Sequence, residues 1–443
     1  MKRFVETIRN IFKIEELRHR IGITFLLVLV YRLGSYIVLP GVDANALNEM
    51  SGAAKNSAIM SLLDMFSGGA FTNASIFALG IMPYISASII VQLLGMVIPK
   101  FKKWQMEGES GRRELNKITR WLTVVILIIQ GSAYIISMTT PLGLPATFSF
   151  RLISVIILSA GSMFVLWLGE RITERGIGNG VSFIIMIGII ARFPRAIAEA
   201  FSDSLSSNGT GGLVLFLAEV IVLVLVIAGA IMLVQGTRRI PIQYAKRVEG
   251  NRVYGGKATT LPLKVNAANV MPIIFAQALM LIPASMSTRL MTGDGGGFWA
   301  SFMDSTSFWY NFVLFILIFA FTYFYTAIMI NPMQISEELK RNNGYIPGVK
   351  PGRATADYID TIMSRITFPG ALFLGIVAIM PAFASMFGVT TSFAQFFGGT
   401  SLIIMVGVIL DTLQQIESYL IMRHYDGLME SGKIKGRSSM GVY

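Results

Sequence analysis

Two glycine-rich stretches are the first places where this sequence could do chemistry, because glycine loops cradle phosphate groups in nucleotide-binding proteins. The stretch GIGNG, residues 176–180, neither follows a predicted strand nor opens a βαβ unit, so it does not indicate a dinucleotide site. In GNRVYGGKAT, residues 250–259, Asn251 replaces the first glycine of a P-loop and Ala258 replaces its Ser or Thr. Nucleotide binding is therefore not predicted.

Metal, thiol and proton chemistry also lack the residues they need. The chain has no cysteine, and its two histidines, His19 and His424, lie near opposite ends. Among the ionisable residues of the apolar segments are Arg32, Asp411 and Glu417. Ion-coupled carriers usually keep charged residues near the middle of the membrane, so this scarcity disfavours such a carrier. We predict neither an enzyme nor a cofactor, and we expect another molecule to supply any energy.

Two aliphatic pairs have a spacing that suits the exclusion of water. Ile81 and Ile85 are four residues apart, as are Val181 and Ile185, so each pair shares one helix face. In a membrane helix such pairs usually pack against a neighbour or face lipid. The alternative is a hydrophobic constriction that closes a pore because it wets poorly. The spacing alone leaves both interpretations open.

A half-length apolar segment stands directly before the first of these pairs. The stretch NSAIMSLLDMF, residues 56–66, is shorter than the roughly 20 residues that a span requires. Lipid cannot satisfy the backbone groups at the ends of a short helix, so such a helix must be buried in protein or line a cavity. Gly68 and Gly69 permit a tight reversal into the next span. The pattern predicts a re-entrant, plug-like segment.

The elements that position these residues are membrane spans. The 443 residues are 53% hydrophobic and 14% charged, with a mean hydropathy of +0.63, whereas soluble domains carry roughly 25% charged residues. The charged N-terminal arm does not resemble a removable signal peptide. We predict an all-α polytopic membrane protein with ten spans, at about 21–40, 73–98, 119–139, 152–170, 180–198, 212–235, 266–287, 308–330, 367–387 and 399–420.

The basic residues predict the orientation of these spans. The net charge is +12, and most of the 37 Lys and Arg residues lie in the two terminal segments and in alternate connections. Because basic loops stay in the cytoplasm, we expect both termini to be cytoplasmic. The opposite side carries Lys55, Arg151, Arg192, Arg195 and Arg289.

Ten spans divide into two sets of five, residues 1–200 and 201–443, with the seam near 199–211. Because five is odd, similar halves would lie in the membrane in opposite orientations, as in many transport proteins. Two cytoplasmic connections, about 236–265 and 331–366, are long and basic and contain turn signals. They predict either contacts with lipid headgroups or folded protrusions that dock a partner.

Several stretches, in order along nearly the whole chain, resemble the SecY family, the channel subunits of the bacterial protein-translocation complex. They are SIFALGIMPYISASIIVQLL, EGESGRR, GERITERGIGNG, RRIPIQYAKR, LPLKVNAANVMPIIFA and FGGTSLIIMVGVILDT. The resemblance implies a protein-conducting channel, with two inverted five-helix halves around a central hourglass pore. It implies a plug helix at about 56–70, including Leu62, Leu63, Met65, Phe66, Gly68 and Gly69.

The resemblance also implies a ring of aliphatic side chains at the waist of the pore. Such a ring closes on ions yet admits a polypeptide of any sequence. Matched motif by motif, the ring comprises Ile81, Ile85, Val181, Ile185, Ile274 and Ile404. The family also opens sideways between its second and third spans and its seventh and eighth. Ser86, Gln92 and Asn266 are candidates for polar contacts across this lateral gate, because buried amides favour partners over lipid.

In the resembled family the two long cytoplasmic loops receive the SecA ATPase or the ribosome. The corresponding basic residues here are Arg238, Arg239, Lys246, Arg247, Lys350 and Arg353. Lys350, in PGVKPG, stands where the family usually has Arg, which keeps the charge but loses the bidentate fork. The further partners implied are SecE, SecG, preproteins that bear signal sequences, and anionic lipids. The implied location is the bacterial cytoplasmic (inner) membrane.

Three interpretations follow from the sequence. The first is a passive, gated polypeptide channel. The second is a small-solute secondary transporter with inverted repeats, which the sparse charge within the spans disfavours. The third is a membrane scaffold without a pore, which leaves the half-length helix and its glycine pair without a purpose. The resemblance favours the first.

Overall fold

The computed structural model describes most of the chain, and the described residues are largely helical. They are 14–42, 64, 66–142, 147–205, 212–244, 247–249, 252–254, 258–268, 270–277, 279–280, 307–387, 389, 391–394, 396 and 398–430.

The described residues of the first part of the chain include six helices. In chain order they are α1 (Glu15–Gly34), α2 (Met82–Val97), α3 (Pro99–Met106), α4 (Glu109–Leu142), α5 (Phe148–Arg175) and α6 (Gly180–Leu205).

The described residues of the second part of the chain include six further long or short helices, a helical segment at 271–277, and five short strands. In chain order they are α7 (Gly212–Gln235), β1 (Thr237–Tyr244), β2 (Arg247–Glu249), β3 (Arg252–Tyr254), β4 (Ala258–Lys264), α8 (Phe308–Met329), α9 (Pro332–Arg341), β5 (Gly344–Tyr345), α10 (Arg353–Met386), α11 (Thr391–Ala394) and α12 (Gly399–Glu430). Residues 271–277, between β4 and α8, are also helical.

Seven of the described helices are long and apolar enough to cross a membrane. They are α4 to α8, α10 and α12, and α2 with α3 forms an eighth span if that bent pair counts as one. The predicted first span is α1, which is not among the seven because Arg18, Arg20 and Arg32 lie within its 20 residues. The predicted span 266–287 is described only in part. The chain is a multi-pass membrane protein.

The predicted second span, 73–98, is helical only from Met82 onward. Residues 68–81 form turns, and Gly80 takes a left-handed φ of +52° that interrupts a helix. Pro83 lies in the first turn of α2, where proline is tolerated because its missing N–H is not needed. At the other end Pro99 starts α3, and the two helix axes differ by 105°. The prediction of a helix beginning at 73 was therefore wrong at its start.

The two long basic connections were predicted to form either lipid contacts or folded protrusions, and in the structure they fold together. In the three-stranded antiparallel sheet, β1 from the first connection pairs with β4 and with β5 from the second. Strands were not predicted for an all-α chain. They form here because β1 alternates exposed and buried residues, which turns Ile240 and Ile242 toward one face.

One hydrophobic core unites these connections. Leu339 of α9 and Ile359 and Met363 of α10 pack with Ile240, Ile242, Leu263 and Ile346. The side chain of Asn331 caps α9 by accepting hydrogen bonds from Met333 N and Gln334 N. We call β1, β4, β5, α9 and the first three turns of α10 the docking unit.

The chain forms two compact units that do not follow the predicted seam. The first comprises Met1–Asn56, Met60–Arg192 and Val408–Tyr443, and the second comprises Ser57–Ile59 and Phe193–Gly407. The division therefore falls inside α6 and again inside α12. The assignment of two inverted halves at residues 1–200 and 201–443 stays a prediction.

Candidate functional site

The described end of the predicted plug is held by a buried ion pair. The Asp64 side chain is 5% exposed, and its Oδ2 lies 2.5 Å from Nη2 of Arg192 on α6. The other carboxylate oxygen accepts a hydrogen bond from the backbone N of Thr72 at 2.9 Å. A buried carboxylate is costly unless it is paired and hydrogen-bonded, and both conditions are met here.

Side chains of the first helix, α1, bind backbone carbonyls of the same segment. The hydroxyl of Tyr31 donates to the carbonyl of Ser67 at 3.1 Å, and Nη1 of Arg32 donates to the carbonyl of Gly68 at 3.1 Å. Arg32 was noted in the sequence as a charge within a span without an assigned partner. Its contact with Gly68 gives that charge a structural reason.

The first glycine of the predicted plug, Gly68, is required by close packing as well as by the turn. Gly68 has a φ of +66°, and a Cβ there would lie 2.7 Å from the Cα of Gly188 on α6. Gly69 has a φ of +93° and open space around it. The predicted tight reversal is thus present at both glycines, but at Gly68 the backbone of α6 also excludes any side chain.

We call Asp64, Arg192, Arg32, Tyr31 and Gly188 the plug anchor. Asp64 lies within the predicted plug segment, but neither it nor the other four residues was predicted to anchor the plug. Two signals pointed to the ion pair: an aspartate within the apolar stretch LLDMF, and Arg192 on the side that carries few basic residues. The predicted plug residues Phe66, Gly68 and Gly69 lie in the described chain, with Phe66 buried. Leu62, Leu63 and Met65 lie outside the described residues.

The aliphatic residues predicted for the ring lie on four helical segments. Ile81 is buried at the start of α2, and Ile85, one turn later, is half-buried. The backbone N of Ile85 donates a hydrogen bond to the Ile81 carbonyl at 3.1 Å. On α6, Val181 is half-buried and Ile185 is buried. These four belong to the first compact unit. Ile274, half-buried in segment 271–277, and Ile404, buried on α12, belong to the second. Their convergence into one ring stays a prediction.

The residues predicted for the lateral gate are polar and at least half-buried. Ser86 donates to the carbonyl of Met82 at 3.1 Å, and Gln92 Nε2 donates to Ser88 Oγ at 3.5 Å, both within α2. Asn266 is 2% exposed and follows β4 by two residues. Contacts between these residues across a gate stay a prediction.

Four of the six basic residues predicted for docking are exposed on the docking unit or directly next to it. Arg238 and Arg239 are exposed on β1. Lys350 is exposed just before α10, and Arg353 is exposed at its first residue. The Lys350 carbonyl accepts a hydrogen bond from Thr355 Oγ1 at 2.9 Å, which fixes the backbone beside α10. Lys246 and the side chain of Arg247 lie outside the described residues.

The comparisons with known proteins agree with this architecture. A family model described as SecY matches residues 75–413. The chain belongs to the SecY family. One relative is the protein translocase subunit SecY of Thermotoga maritima, which is 41% identical over 443 residues, covering 98% of this chain and 99% of that protein.

Solved structures share the fold at low sequence identity. One concerns the plug domain of the SecY protein, which is described as stabilising the closed state of the translocation channel. It matches with a TM-score of 0.63 and 16% sequence identity, and the match covers 90% of this chain and 92% of that one. Another is Sec61 in the canine ribosome–channel complex from the endoplasmic reticulum, with a TM-score of 0.60, 16% identity and the same coverage. The predicted fold, a polytopic helical channel with a plug, is confirmed by this likeness.

Proposed function

We propose that this chain is a gated channel that passes unfolded secretory polypeptides across the membrane and releases membrane helices through a lateral gate. The observation that carries the proposal is the plug anchor. A buried ion pair and two backbone hydrogen bonds hold the end of a half-length apolar segment against α1 and α6. A half-length segment must be buried against protein or line a cavity, and polar contacts that can break and re-form suit a barrier that moves.

The proposed seal has two layers. In the first, the aliphatic side chains of Ile81, Ile85, Val181, Ile185, Ile274 and Ile404 form a short apolar constriction, which wets poorly and so opposes the passage of ions. In the second, the plug covers the constriction until a polypeptide displaces it. Aliphatic side chains bind no particular sequence, so they adjust around any chain that passes.

The proposed lateral gate uses weak polar contacts for closure. Ser86, Gln92 and Asn266 lie in apolar surroundings, where interhelical hydrogen bonds between polar side chains contribute roughly 1 kcal/mol or less. Closure by such contacts is strong enough to exclude lipid and weak enough for a signal sequence to open.

The docking unit is the proposed binding surface for a partner that supplies energy. We assign this role to the SecA ATPase or to the ribosome, through Arg238, Arg239, Lys246, Arg247, Lys350 and Arg353. The solved Sec61 complex is with a ribosome, which supports a cytoplasmic docking surface. The small subunits SecE and SecG are the proposed membrane partners, and the chain itself has no enzymatic role.

The proposed location is the bacterial cytoplasmic membrane, with both termini in the cytoplasm and two inverted halves, 1–200 and 201–443. The distribution of Lys and Arg supports this orientation. It places the docking unit on the cytoplasmic side. The basic connections there are also the proposed contacts for anionic lipid headgroups.

Depletion of the chain from its own cells tests the proposal. We expect pulse-labelling to show a rapid accumulation of uncleaved precursors of exported proteins on the cytoplasmic side. Re-expression of the chain is the control and should restore their maturation. Normal export together with the loss of uptake of a small solute would overturn the proposal and favour the secondary transporter, which the comparisons do not support.

A further inference from the structure

The GIGNG stretch, which does not suit a nucleotide, forms the tight connection between α5 and α6. Three of its backbone N–H groups donate hydrogen bonds to side chains from three helices. Ile177 N donates to Thr24 Oγ1 of α1 at 3.2 Å, Gly178 N donates to Gln415 Oε1 of α12 at 2.8 Å, and Gly180 N donates to Thr173 Oγ1 of α5 at 2.8 Å. We call residues 176–180 the junction loop.

The contact with α12 is the one that spans the greatest distance in sequence, 237 residues. Gly178 has a φ of +82°, a conformation that side chains rarely adopt, and a Cβ there would lie 3.2 Å from the Thr412 hydroxyl. The loop and this part of α12 belong to the same compact unit. The backbone of the loop is thus shaped to present its N–H to the amide of Gln415.

The first helix reinforces the junction loop from the other side. The Thr24 hydroxyl donates to the carbonyl of Arg20 at 2.9 Å while it accepts from Ile177, so both of its hydrogen-bonding roles are used. The guanidinium of Arg20 lies 5.3 Å from the ring centroid of Tyr419, one turn after Gln415. The loop therefore joins α1, α5 and α12 at the point where α6 begins.

The position of the junction loop determines the position of Val181, which belongs to the proposed ring. The Asn179 side chain caps α6 by accepting hydrogen bonds from Val181 N at 3.1 Å and Ser182 N at 3.4 Å. A Cβ on Gly169 of α5 would lie 3.3 Å from a Val181 methyl group, so α5 and α6 are in close contact here. Val181 therefore follows the loop directly and packs closely against α5.

We propose that Gln415 is a positioning residue for the aliphatic seal: its amide oxygen fixes the junction loop through Gly178 and thereby fixes the first turn of α6, which carries Val181. The proposal rests on the proposed channel function, because it gives Val181 a place in a seal. Loss of the Gln415 acceptor frees the loop from α12. The first turn of α6 then opens more often, while α5 and α1 still hold the fold.

The absence of cysteine in the natural chain makes a direct test possible. A single Val181→Cys substitution is labelled with a water-soluble maleimide in the purified channel complex, with and without a change at position 415. Gln415→Met has similar size and lacks the acceptor, and we expect it to raise the labelling rate about two- to tenfold, which corresponds to one net hydrogen bond. Gln415→Glu keeps an acceptor oxygen and should label at the rate of the Val181→Cys parent.

Gln414→Met is the matched control, because Gln414 is also an exposed glutamine of α12 and lies next to Gln415. An unchanged labelling rate in Gln415→Met, or an equal increase in Gln414→Met, would overturn the proposal. If Gln415→Met does not accumulate in the membrane, Gln415→Ser replaces it, because a serine side chain is too short to reach Gly178 N. The labelling rate of that variant is then compared with the parent in the same way. The labelling rate reports the geometry at Val181 and does not depend on export. Normal export after depletion would therefore refute the channel function without deciding the role of Gln415.

Discussion

Removal of the charge on Arg192 should loosen the plug, and the structure sets the expected size of the effect. Arg192→Gln leaves the Asp64 carboxylate buried with the Thr72 N–H but without its cation. A hydrogen bond to a charged group contributes about 1.5–3 kcal/mol in proteins. The Arg192 side chain is 34% exposed, so water replaces part of this interaction and we use a lower value of about 1–2 kcal/mol.

That loss of free energy corresponds to a roughly five- to thirtyfold increase in the population of channels with a displaced plug. Proteoliposomes that contain the channel complex provide the assay: the rate of ion leak in the absence of any polypeptide should rise by this factor. Asp64→Asn should act in the same direction. Because the two residues form one pair, the double variant should leak less than the two single effects combined would give.

Arg195→Gln is the matched control for this prediction. Arg195 lies three residues further along α6 and pairs with Glu199 at 3.0 Å, but its side chain is 81% exposed. Exposed ion pairs contribute little to stability, so this variant should leak like the natural chain. Equal leak in the Arg192 and Arg195 variants, or additive effects of Asp64→Asn and Arg192→Gln, would refute the assignment of the plug anchor.

Three further predictions follow from the site. Gly68→Ala should raise ion leak more than Gly69→Ala, because both substitutions strain a left-handed residue but only the first places a Cβ 2.7 Å from the backbone of Gly188; equal leak in the two variants would contradict the packing argument. Ile85→Asn or Ile274→Asn should wet the constriction, which raises ion leak and admits precursors with defective signal sequences; unchanged leak and selectivity in both would remove these residues from the ring. Reversal of charge at Arg238 and Arg239 should weaken SecA binding by about tenfold at low salt and by less at high salt. The same change at the exposed Lys102 and Lys103 of α3 should have little effect on SecA binding. An equal loss of binding in both pairs would indicate a general effect of charge.

The positions of seven spans were predictable from hydropathy. A run of about 20 apolar residues has few alternatives to crossing the bilayer, and α4 to α8, α10 and α12 all overlap their predicted segments. The start of α2 was not predictable in the same way. Residues 73–81 are apolar enough to be read as the first part of a span. The helix nevertheless starts only at Met82, because Gly80 adopts a left-handed conformation and Pro83 suits the first helical turn.

The plug anchor and the docking unit depend on contacts between distant parts of the chain, which no local pattern contains. Asp64 and Arg192 lie far apart in the sequence, and no motif or spacing links one to the other. The strands β1 and β5 come from different connections, and they pair because Ile240, Ile242 and Ile346 bury one face together. The sequence indicated folded protrusions but not that they share one core.

The junction loop shows a motif whose residues were noticed and whose role was not. The glycines of GIGNG were considered for phosphate binding, yet they serve close backbone approach and a left-handed turn at Gly178. The partner of that turn, Gln415, lies on the last helix and carried no signal of its own in the sequence. Only the fold brings its amide to the loop.

The measurement that tests the central claim most directly is a site-specific crosslink to a polypeptide in transit. Because the chain lacks cysteine, Ile85→Cys and Ile274→Cys each supply one thiol for disulfide formation with a single cysteine in a stalled secretory precursor. Leu225→Cys is the control, because Leu225 is 65% exposed on the outer face of α7. We expect efficient crosslinks at both ring positions and none at Leu225. Crosslinks absent from both ring positions while the precursor is still exported would contradict a polypeptide path through the ring.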